Sequence, residues 1–101
     1  MEVENELSIY TPFVSVKTTA GRKIAFNSNH IVAVGSIQER LPTAPPLNTR
    51  SFYFEILLHG TKEGGRNIQS DYFDDQAGHD NALAQLTEIR NDLLKQLGIE
   101  P

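Results

Sequence analysis

The hydrophobic positions of this chain change period about two-thirds of the way along it. From residue 13 to residue 72 apolar and polar residues alternate in short runs, the pattern of half-buried strands. Residues 13–18 (FVSVKT) alternate and are rich in β-branched side chains. Thr19, Ala20 and Gly21 supply a turn, with Gly21 free to take positive φ. The chain returns over 22–27, placing Ile24 and Phe26 on one face and Lys23 and Ala25 on the other. Asn27, Ser28 and Asn29 predict a second tight turn. A third strand follows over 30–37, carrying His30 at its start. Strict alternation groups Ile31, Ala33, Gly35 and Ile37 on one face and Val32 and Val34 on the other, so both faces are apolar, as expected of a central strand.

A fourth strand over 51–59 lines up Phe52, Phe54, Ile56 and Leu58 against Tyr53, Glu55, Leu57 and His59. Residues 60–65 read as a hairpin connection, and 66–72 as a shorter, more polar strand suited to a sheet edge. Near the start of the chain, residues 7–10 predict one more strand and residues 1–6 a frayed arm. The last third then switches to helical spacing: Ala82, Leu86, Ile89, Leu93 and Leu97 recur every three or four residues, with Leu83 and Leu94 widening the stripe. Asp74, Asp75 and Asp80 crowd its start, Lys95 lies near its end and Gly98 stops it. Gly78 leaves the first turn open and permits a start as late as Asp80.

Several antiparallel strands followed by one amphipathic helix predict an α+β domain. A sheet with one apolar face and a helix with one apolar stripe must cover each other. The expectation is a curved antiparallel sheet of about five strands closed by the C-terminal helix. In order of elements this is broadly similar to the pleckstrin-homology-like layout, an analogy that no signature motif carries.

One interruption stands out. Residues 38–50 (QERLPTAPPLNTR) separate the two most strand-like runs and hold three of the five prolines. Most connections inside a compact domain are shorter, and long ones are disproportionately functional. Pro42, Pro45 and Pro46 restrict the segment before it meets a partner, which lowers the ordering cost of binding. Leu41 and Leu47 offer apolar anchors, with Arg40 and Arg50 at the rim. The second face of the fourth strand, Tyr53 and Leu57, adjoins it, and uncovered it also invites self-association.

Composition narrows the rest. A chain of 101 residues makes one domain, 1–101, with a modest core. It has no cysteine, which excludes disulfides, thiolate metal sites and cysteine nucleophiles. No apolar run is long enough to span a membrane, and the acidic N-terminus (MEVENEL) is unlike a secretory signal, so a cytoplasmic location is expected. The net charge of −4 is unevenly spread. Residues 17–66 hold seven bases against three acids, whereas the segments on either side are acidic.

Candidate chemistry is sparse. Asp75 and His79 fall at i and i+4, but a metal shell needs three or four ligands, and acids gather at a helix start because the macrodipole favours them. His30 and His59 have no serine or carboxylate placed beside them by sequence. The run 60–66 (GTKEGGR) lacks the order of a phosphate loop and lies between strands. No catalytic residue, metal or cofactor is assigned. Lys17, Arg22, Lys23, Lys62 and Arg66 make a basic set, with Tyr53 and Tyr72 as stacking planes, that would serve a nucleic-acid-binding regulator. A small metal-dependent or hydrolytic enzyme centred on His79 is the third reading. The leading expectation is a non-enzymatic protein-binding module in the style of small bacterial or phage accessory proteins, inhibitors or adaptors. It would dock on a protein partner through Arg40, Leu41, Pro45, Leu47, Arg50, Tyr53 and Leu57. Its acidic ends would meet a basic target, such as a protein that itself binds nucleic acid.

Overall fold

The computed structural model describes residues 13–42, 49–60, 62 and 64–100. The predicted strand at 7–10, the arm at 1–6, and Pro45 and Leu47 of the Pro-rich segment lie outside the described residues. The described residues are α+β, with antiparallel strands followed by one C-terminal helix.

Strands β1 (Phe13–Lys17) and β2 (Lys23–Asn27) form a hairpin, in register from Phe13 opposite Asn27 to Lys17 opposite Lys23. Gly21 takes φ 84° in its turn, a conformation that a side chain disfavours. A 3-10 turn, Ser28–His30, follows, capped by the Asn27 side chain accepting from the Asn29 N–H at 2.9 Å. His30 therefore ends a turn rather than opening a strand.

The second sheet is built around β5 (Ser51–Leu58), with β6 (Gly65–Gln69) on one edge. The other edge pairs with two short strands in succession, β3 (Ile31–Val34) and β4 (Gln38–Arg40). The pairings Ile31 with Leu58, Ala33 with Leu57, Val34 with Ile56 and Gln38 with Tyr53 describe one strand with two extra residues in it. The topology corrects two expectations. The single five-stranded sheet is instead two sheets, and the central strand is β5, not the third strand. The phase of the third strand also shifts: Ile31, Val34 and Ile37 pack against the core, whereas Ala33 is exposed. Residues 38–40, read from sequence as the start of the Pro-rich loop, are strand β4.

Helix α1 (Gln76–Gln96) begins where Asp75 caps it, accepting from the Gly78 N–H at 2.7 Å. The capping carboxylate satisfies a backbone donor that the helix leaves unpaired, which settles the start two residues before Gly78. The helix packs on both β1 and β5 and so joins the two sheets over one core. Val14, Val16, Phe26, Phe54, Ile56, Ile68, Leu86 and Leu93 are buried there together. The inward row predicted for the fourth strand is correct, since Phe54 and Ile56 are fully buried.

A second link ties helix to sheet. Arg90 Nε donates to the Gly35 carbonyl at 2.8 Å, in the interval between β3 and β4 where the ladder is interrupted. At the end of α1, the Gln96 side chain bonds the backbone of Ser15 in β1.

Candidate functional site

The helix covers only one face of the four-stranded sheet. Side chains directly opposite in a ladder share a face, so the outer face can be read from the register. Its rows run Ala33 and Leu57, then Glu55 with Asn67, then Gln38, Tyr53 and Gln69, and last Arg40 with Ser51. Leu57 is 40% exposed. The Arg40 guanidinium stacks on the Tyr53 ring, 4.7 Å from its centroid. Such a contact is worth about 0.5–1 kcal/mol at an exposed site and holds the planar cation flat against the sheet. Ser51 is buried beneath this end of the face and accepts a hydrogen bond from Gln69 Nε2 at 2.9 Å.

Three of the sequence-predicted partner residues, Arg40, Tyr53 and Leu57, thus share one surface. Leu41 follows Arg40 directly and is 64% exposed. Arg50 does not join them. It pairs with Glu39 at 2.8 Å and bridges backbone to backbone with Phe73, on the core side of the sheet with Phe52. The ion pair neutralises the charge that the sequence suggested for the rim. Being partly exposed, it adds little stability.

The basic set divides. Lys17 and Lys23 stand directly opposite each other on the first hairpin, with Arg22 exposed at its turn. Lys62 is exposed at the second hairpin. Arg66 pairs across from Ile56 and lines a pocket of about 230 Å³ with Ala25, His30 and Leu58, which brings it beside β2, two residues from Lys23. Tyr53 is not interleaved with these cations: it lies toward the far end of β5 from the Lys62 turn, under Arg40.

His79 and Asp75 have separate partners. The His79 ring meets Phe52 and Phe73 edge-on, at centroid distances of 5.1 and 5.3 Å, and those two rings stack on each other at 5.2 Å. Its Nδ1 lies 3.0 Å from Asp80 Oδ1, to which Gln76 Nε2 also donates at 2.9 Å. Hydrogen bonds from His79 and Gln76 hold the Asp80 carboxyl below the usual aspartate range. The Asp75 carboxylate is occupied by its cap. Spacing alone groups Asp75 with His79; the Phe52–Phe73 pair that the His79 ring meets is assembled by long-range pairing and leaves no local signal. Comparison with protein-family models, with characterised proteins and with solved structures gives no match for this chain.

Proposed function

We propose that the chain is a non-enzymatic protein-binding module that works in the cytoplasm by occupying a partner's surface, as small inhibitors and adaptors do. One observation carries the reading: the outer sheet face presents Tyr53 and Leu57 with a stacked Arg40, beside the start of the Pro-rich loop. Aromatic and arginine side chains are the types enriched at binding hot spots, and Leu57 widens the apolar centre. Arg40↔Ser51 pairing makes the loop a hairpin connection, so Leu41 is carried at the edge of the same surface.

The test uses variants that the fold tolerates. Arg40→Glu and Leu57→Glu alter exposed side chains and are expected to shift stability by less than about 1 kcal/mol. Each should weaken retention of the partner that the wild-type chain captures from host lysate. Replacing residues 41–47 by a short Gly/Ser linker should do the same without unfolding the domain. A partner retained equally by all three variants would sink the outer-face reading.

The opposed Lys17 and Lys23 favour one second reading, a nucleic-acid surface. Like charges placed directly across a ladder repel, and a bound polyanion would relieve them. An oligonucleotide titration at low salt decides it: absence of binding removes this alternative.

A further inference from the structure

Each sheet leaves two backbone edges, and the edges are not alike. Natural sheets guard such edges with a covering group, a lysine, a proline or a bulge. On β1 the Gln96 amide holds both backbone groups of Ser15, at 2.9 and 2.7 Å. On β2 Lys23 occupies the edge, opposite Lys17. The β3–β4 edge is broken by bulges at its extra residues and is followed by Pro42. The edge of β6 carries none of these devices. Its ladder with β5 runs without insertion from Gly65 to Gln69. Its one charged side chain, Arg66, is on the core side, where it lines a pocket with Ala25, His30 and Leu58.

Hydrogen bonds at the two ends of this ladder show which backbone groups face outward. The Leu58 N–H donates to the Gly64 carbonyl, and the Ser70 N–H donates to the Phe52 carbonyl. Backbone groups alternate sides along a strand, so Arg66 and Ile68 bond β5 while Gly65, Asn67 and Gln69 direct theirs away from it. No described residue takes those outward groups.

We propose that β6 pairs with β6 of a second copy of this chain, antiparallel, about a two-fold axis at Asn67. The register is self-complementary. Asn67 faces Asn67 and Gly65 faces Gln69, and each facing pair exchanges both of its N–H···O bonds. Arg66 falls opposite Ile68, so no like charges meet across the new ladder. Centring the pair on Arg66 would face that cation with itself. Centring it on Ile68 would leave Gly65 beyond the end of the partner strand. The product is one continuous sheet across both copies. This edge is distinct from the outer face proposed above for a protein partner, so failure of either reading leaves the other in place.

Sedimentation equilibrium of the full chain, taken up to roughly 1 mM, should show a mass rising from one chain toward two. Asn67→Pro removes the outward N–H at the axis and no bond to β5. Its amide spectrum should remain that of the folded chain, while dimerisation weakens about tenfold or more. Asn67→Asp and Asn67→Lys each set like charges across the axis and should each weaken dimerisation about threefold at low salt. An equimolar mixture of the two should dimerise at least as well as the wild type, because residue 67 meets itself only at this axis. That arm needs no proline in the strand. A chain that stays monomeric at the highest concentration overturns the proposal. So does a dimer that Asn67→Pro leaves intact, or a mixture that restores nothing. A dimer lost to Leu57→Glu but kept by Asn67→Pro assigns self-association to the outer face and overturns it too.

Discussion

Gly78 illustrates how one residue can reverse a general rule. Replacing a helical glycine by alanine ordinarily stabilises by about 0.5–1 kcal/mol. Here a Cβ would stand 2.9 Å from Phe73 Cβ and 3.0 Å from the capping Asp75 oxygen. Phe73 is held by the bridge to Arg50 and by its ring contacts with Phe52 and His79, so it has little room to yield. Gly78→Ala is expected to destabilise by about 1 kcal/mol, measured by chemical denaturation; a stabilised variant would show that the cap relaxes freely. Asp80 sets a pH dependence at the same helix end. Its carboxyl is held below its ordinary value in the folded chain. Its contribution to stability is therefore fully present above about pH 4 and is lost as pH falls through the lowered value. Asp80→Asn should remove that acid-side slope. Parallel acid titrations of the two proteins, followed by unfolding, check it.

Among the elements, β1, β2, β5, β6 and the helical stripe were legible because each keeps one period over its whole length. The third strand was not. Alternation carried through residues 30–37 puts Val34 on the wrong side, because an inserted residue resets the phase without changing composition. Nor does a run of alternating residues announce which strand is central. Val32 and Val34 suggested burial on both faces, yet the pairing gives that position to β5. The candidate site was legible in part for the same reason. Tyr53 and Leu57 follow from alternation inside one regular strand, and Arg40 joins them through a regular stretch of β4. Arg50 was misread because its partner, Glu39, lies across a connection whose geometry the sequence does not specify. The Gln96 contact with Ser15 spans 81 residues and had no signal at all.

For the whole molecule, the helix makes two sheets behave as one body. It packs on β1 and on β5, and the buried residues of both sheets belong to one cluster. A two-stranded hairpin is marginal alone, so β1–β2 is expected to persist only while the helix is docked. Leu93→Ala removes a fully buried side chain and should cost about 2–5 kcal/mol, a large share of what a domain of this size has. The amides of β1 and of β5 should then lose hydrogen-exchange protection together. Loss confined to one sheet would mean that the two unfold separately.

The bulges have a further consequence, for changes in chain length. Deleting one residue inside β5 would turn every later side chain of that strand over, sending Phe54 or Ile56 to the solvent side. Deleting Val32 would not. It is the extra residue between Ile31 and Ala33, it is 65% exposed, and its removal leaves Leu58 and Leu57 opposite their present partners. Ser36 holds a comparable place in the interval between Val34 and Gln38, where Arg90 holds the Gly35 carbonyl. The chain therefore carries two spare residues where its length can vary without loss of reading frame across the sheet. A deletion scan of soluble expression should return survivors at these two positions and none between Phe52 and Ile56.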